Sequence, residues 1–143
     1  MQPVHLYMDM DTADSHWGRR SRYAYALASL EATQTALIFG SDAPVETPNP
    51  FWGIHAAVTR CAKNSNFEWY PEERINLRLA INAYTSEPAR QSGHEGRSGE
   101  LKTGQLADLI VLDRDPFQVQ PHELYSLTPV MVMVDGHWVL QTL

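Results

Sequence analysis

Residues 39–50, FGSDAPVETPNP, join a short apolar run, Ala36-Leu37-Ile38-Phe39, to a helix start, and they carry one carboxylate, Asp42, just past Gly40 and Ser41. A strand end followed by a variable loop is where parallel barrels and open α/β sheets collect their chemistry. Gly40 permits a tight backbone, and Pro44, Pro48 and Pro50 stiffen the loop by fixing φ and removing donors, so Asp42 is expected on a rigid support. Read alone, Ser41-Asp42 fits a turn or helix-cap pair better than a site, and the rest of the chain reverses that balance.

Working outward, Asn49 reads as an N-cap with Pro50 at the first helical position. Ile54, Ala57, Val58 and Cys61 then repeat at i, i+3, i+4 and i+7, which makes Cys61 a small buried apolar residue rather than a catalytic thiol. Upstream, Tyr23, Ala26, Leu27 and Leu30 give the same spacing for a helix ending near Thr33. Gln2 to Tyr7 predicts a short strand, since Pro3 disfavours helix at Gln2, and Asp9 to Asp14 predicts an acidic loop. That loop lacks the glycine and terminal glutamate of a calcium loop. Downstream, Asn76 caps a helix through Thr85 with Leu77, Ala80, Ile81 and Tyr84 inward, and Ser86 to Gly99 reads as loop. The His55 position on its helix suggests a surface or capping histidine rather than a ligand.

After Gly99 the character changes to β. Leu109-Ile110-Val111-Leu112 suits a strand buried on both faces within Leu106–Leu112. Val130–Val134, Asp135-Gly136 and His137–Leu140 form a hairpin pattern, because Asp-Gly supplies the positive φ of a two-residue turn. The expected division is 1–98 and 99–143.

Composition narrows the function classes. The 143-residue chain is 43% hydrophobic and 20% charged, has no apolar run long enough for a membrane span, and carries a net charge of −6. Its only basic knot is Arg19-Arg20-Ser21-Arg22, so nucleic-acid and membrane partners are not expected. One cysteine excludes an internal disulfide, and the start shows no signal-peptide pattern; a reducing, cytoplasmic setting is the expectation.

Three blocks, QPVHLYMDMD, FGSDAPVETPNPFWGIHAAVTR and GELKTGQLADLIVLDRDPF, together resemble the carboxy-terminal part of the metal-dependent amidohydrolase superfamily, family 3, in the YtcJ-type branch that includes N-substituted formamide deformylases. The resemblance covers essentially the whole chain. It implies an α/β fold: the last two strands and helices of a (β/α)₈ TIM barrel, with Gln2–Tyr7 as barrel strand seven and Ala36–Phe39 as strand eight, followed by the C-terminal strands of a small composite β-sandwich. By the same resemblance Asp42 is a metal ligand and the base for the attacking water, and His5 faces the same mouth as a substrate contact, against the alternative of a histidine with no role. A zinc-type ion would lower the pKa of its bound water to about 7 and polarise the scissile carbonyl.

The departures from the family pattern concern the ion. The His-x-His motif and the two later strand-end histidines have no counterpart, and none of the six histidines lie two residues apart. His16, His94, His122 and His137 receive no role. Gln34 stands where the family usually has a helix-ending Gly, and Arg78-Leu79 where acidic residues commonly complete the cap. Trp17, Phe51 and Trp52 fit either an aromatic mouth or plain packing. The expectation is therefore a C-terminal piece of an enzyme that hydrolyses a non-peptide carbon-nitrogen bond of a small amide-type substrate. Such a piece is inactive by itself and does not retain zinc. The alternative is a non-catalytic remnant, and self-association through open edges is expected under both readings.

Overall fold

The computed structural model describes residues 1–142 and places five α-helices and a three-stranded antiparallel sheet around two apolar clusters. The helices are α1 (Leu6–Trp17), α2 (Leu27–Ala32), α3 (Pro50–Thr59), α4 (Leu77–Tyr84) and α5 (Ser86–Gln91). The strands are β1 (Leu109–Leu112), β2 (Pro129–Val134) and β3 (His137–Gln141), in the order β1-β2-β3.

The expected strand over Gln2–Tyr7 is instead a 3-10 turn, Pro3–His5, running into α1, which also absorbs the acidic segment expected as a loop. The period decides this. Leu6, Met10 and Ala13 fall at i, i+4 and i+7 and are all buried, while Pro3 sits in the first turn, where a missing N–H costs nothing. The strand expected over Ala36–Phe39 does not form: residues 36–40 are extended without a ladder of their own. Met1 donates its amino group to the Ile38 carbonyl at 2.5 Å and accepts from Gly40 N at 3.0 Å, which is a single parallel pair centred on Phe39. Phe39 N turns instead to the Ala83 carbonyl, at 2.8 Å.

The helix expected from Tyr23 starts only at Leu27. Gly18–Tyr23 is a 3-10 turn, and Tyr25 takes a positive φ of 52°. Arg60 explains the delay: its guanidinium draws the Ala24 and Tyr25 carbonyls to itself, at 3.3 and 2.8 Å, and so removes them from a helical ladder. Asn49 and Asn76 do cap α3 and α4, accepting from Phe51 N and Leu79 N at 2.9 Å each. The Ser86–Gly99 loop contains α5, because Pro88 occupies its first turn without breaking it.

The principal cluster packs Leu27, Leu37, Phe39, Phe51, Ile54, Ala57 and Ile75 with Leu124 and Leu127 from the far end of the chain. A second cluster of Leu6, Met10, Ala13, Ala56 and Trp69 lies on the other side of α3. Helix α3 is therefore covered on both faces, and Cys61 just beyond it is buried, which pushes its thiol pKa up.

The hairpin forms as expected, with Asp135 and Gly136 both at positive φ (50° and 75°). The strand Leu109–Leu112 is not buried on both faces: Ile110 and Val111 are exposed, since no second layer covers the sheet among the described residues. No described helix is long and apolar enough to cross a membrane.

Candidate functional site

Asp42 and His5 come from segments far apart in sequence, and both lie immediately past the Met1 and 38–40 pairing. Asp42 takes a positive φ of 59° at the head of a turn closed by Val45 N donating to its carbonyl at 2.9 Å. Its side chain is 54% exposed, and α3 takes its cap from Asn49, so the carboxylate is left to face outward.

His5 ends the 3-10 turn and is the N-cap position of α1, held between the buried side chains of Val4 and Leu6. Its Nε2 lies 3.8 Å from Asp42 Oδ2 and is shut off from solvent with no hydrogen-bond partner among the described residues. A buried imidazole nitrogen without a partner is costly, so a site that supplies one is physically favoured.

A polar and aromatic cluster joins the start of α1, two residues past His5, to α3. Tyr7 Oη lies 2.6 Å from His55 Nδ1 and 3.1 Å from the Trp52 carbonyl. His55 is 1% exposed and meets the edge of Tyr125, with ring centroids 5.2 Å apart; it is no surface or capping histidine, because α3 is packed on both faces. Burial, with His122 as a lesser cause, pushes its pKa down to about 4, so the ring is neutral. Burial also raises the Tyr7 phenol far above its usual range. Lys63 Nζ sits over the Trp52 ring at 4.4 Å and the Tyr125 ring at 5.1 Å. Trp52 thus belongs to this cluster and Phe51 to the core, while Trp17 is more than half exposed on α1.

Neither Tyr7 nor His55 was singled out for a role by sequence pattern. The available signal was an aromatic hydroxyl two residues from His5, together with a histidine inside a helix otherwise apolar all round.

The donor types suit a zinc-type ion in part. Asp42 offers a carboxylate, and His5 Nε2 is an imidazole nitrogen with no partner. Among the described residues, however, no group of three or more His, Cys, Asp or Glu side chains comes together to hold an ion. Asp42 fits as one contributor to a metal site, and the described residues do not complete it.

The chain is 31% identical over 144 residues to the protein named "Putative amidohydrolase YtcJ" of Bacillus subtilis (strain 168), covering 99% of this chain and 27% of that protein. It is 34% identical over 96 residues to the N-substituted formamide deformylase of Arthrobacter pascens, covering 67% of this chain and 18% of that enzyme. Among solved structures, it superposes on an uncharacterized metal-dependent hydrolase from Pyrococcus furiosus with a TM-score of 0.66 at 32% identity, covering 82% of this chain and 23% of that one. A second, from Pyrococcus horikoshii OT3, gives 0.71 at 27% identity, covering 85% and 25%. The chain thus spans about a quarter or less of the length of these relatives. A family model described as "Amidohydrolase family" matches residues 1–140. With almost all of its length inside that match, the chain belongs to the amidohydrolase family.

Proposed function

We propose that this chain supplies the Asp42 side of a metal-dependent amidohydrolase site that cleaves a non-peptide carbon-nitrogen bond in a small amide-type substrate. The observation that carries the reading is the Asp42 carboxylate facing the partnerless Nε2 of His5 across 3.8 Å. A divalent ion, zinc by its donor preferences, supplies a water of lowered pKa and a polarised carbonyl when bound. Asp42 would hold the ion through its carboxylate and take up the proton released at the attacking water, and His5 would contact the substrate. The names of the relatives support amide-type chemistry, and the parallel pairing of Met1 with residues 38–40 is the contact in favour of adjacent strand ends of a barrel.

The test is Asp42→Asn in an active polypeptide that includes this chain. Turnover should fall by about two orders of magnitude or more, with the circular dichroism unchanged, because a neutral amide neither accepts the proton nor balances the ion. Wild-type turnover in that variant would remove Asp42 from the mechanism. The 143-residue chain alone, dialysed after zinc loading, should not keep one zinc per chain; stoichiometric retention would mean that the site is complete without further residues.

A second reading, a non-catalytic self-associating protein, is favoured by the sheet. Its outer strands β1 and β3 each pair on one side only, and Trp138, Val139 and Ile110 are exposed. A concentration-independent monomer in sedimentation would argue against it.

A further inference from the structure

We propose that Tyr7 and His55 are a positioning pair: their hydrogen bond locks the 3-10 turn carrying His5 onto α3, and so sets where the His5 imidazole stands opposite Asp42. The inference rests on the reading of His5 and Asp42 as the working face of the site. Tyr7 lies two residues beyond His5, in the first turn of α1, so the two side chains move with one rigid piece of backbone. Helix α3 begins at Pro50, eight residues past Asp42, with its first turn closed by the Asn49 cap.

The Tyr7–His55 contact is the polar tie between these two pieces. Tyr7 Oη reaches His55 Nδ1 at 2.6 Å and the Trp52 carbonyl at 3.1 Å, both on α3. One arrangement satisfies both contacts with one proton each. His55, neutral in its buried setting, carries its proton on Nδ1 and donates to the phenol oxygen, which donates onward to the Trp52 carbonyl. That chain also selects the His55 tautomer and fixes the ring against Tyr125. Apolar burial of Val4 and Leu6 holds the turn down, but apolar contact is non-directional. The Met1 pairing with Ile38 and Gly40 fixes the start of the segment, and the Tyr7–His55 bond adds direction on the other side of His5, against α3, which matters for an imidazole that must meet its partner at one atom.

The experiment reads geometry without substrate or metal. Side-chain histidine resonances of the full chain are recorded at one fixed pH for wild type, Tyr7→Phe, His55→Leu, His55→Asn and Tyr25→Phe. The expected result is that Tyr7→Phe and His55→Leu both displace the His5 ring signals and weaken the nuclear Overhauser contact between that ring and Asp42. His55→Asn, which keeps a side-chain N–H near the position of Nδ1, should return the signals toward wild type. Tyr25→Phe removes a phenol hydrogen bond to Asp9 on the same helix and should leave His5 in place.

The proposal is overturned if folded Tyr7→Phe keeps the wild-type His5 signals, or if Tyr25→Phe displaces them as far. Should Tyr7→Phe fail to fold, the contrast between His55→Leu and His55→Asn decides: equal displacement by both overturns the proposal. Because none of these readings uses turnover, loss of the hydrolase assignment through Asp42→Asn would leave the positioning result standing as a separate fact.

Discussion

The Arg60 guanidinium lies 5.3 Å from the centre of the Trp69 ring while its Nε donates to the Trp69 carbonyl at 3.0 Å, so one side chain both stacks on a residue and binds its backbone. Arg60 is fully buried at the left-handed C-cap of α3. It also serves the Tyr25 and Ala24 carbonyls, and burial lowers its pKa to about 10, which keeps it charged at neutral pH. Arg60→Met should cost roughly 2–5 kcal/mol in urea unfolding, since buried carbonyls lose their donors. Arg60→Lys should recover less than half of that, because an ammonium cannot reproduce the planar fork. A loss within experimental error for Arg60→Met would show that water replaces the guanidinium.

His55 gives the chain an acid-sensitive component. Its folded pKa of about 4 lies below the ordinary value of 6.5, so between these pH values the unfolded chain binds the proton more readily. The contribution is therefore complete above pH 6.5 and is lost as pH falls toward 4, to a total on the order of 3 kcal/mol. Urea midpoints measured from pH 7 to pH 5 should drop steeply for wild type and more shallowly for His55→Phe. Parallel profiles would mean that some other group carries the dependence.

Gly53 faces Tyr84 so closely that a Cβ at 53 would lie 2.1 Å from the phenol oxygen. Tyr84 cannot swing away without loss: its ring meets Phe39 edge-on with centroids 5.6 Å apart, and its hydroxyl approaches the Gly40 carbonyl at 3.5 Å. Gly53→Ala should therefore destabilise by about 1–3 kcal/mol, although alanine is the better helix former. Adding Tyr84→Phe, which removes the atom in the way, should return part of that loss. An additive double variant would place the strain elsewhere.

These residues show which parts of the molecule were legible from sequence. Asn49-Pro50, Asn76 and Asp135-Gly136 announce themselves because their effects are local: a cap accepts from a neighbouring N–H, and a two-residue turn needs positive φ at its own positions. Proline misled twice, at Pro3 and Pro88, where the first helical turn tolerates it. His55 and Arg60 were not legible as buried groups, since a one-face helical wheel does not foresee a helix packed on two sides. The short apolar run at 36–39 predicts a strand, but the segment is only extended, since its backbone partners are Met1 and Ala83, which no local pattern names.

The parallel pair at Met1 also bears on anything fused to this chain. Its amino nitrogen and carbonyl oxygen point to the same neighbouring segment, at Ile38 and Gly40, so a peptide joined ahead of Met1 leaves alongside Leu37 and Ala36. Joining it converts the terminal ammonium into an amide that keeps the bond to Ile38 and gives up the charge, which burial already disfavours. An amino-terminal extension would therefore enter as added β-structure rather than trail as a tether, and the residues next to Met1 would act as part of the fold.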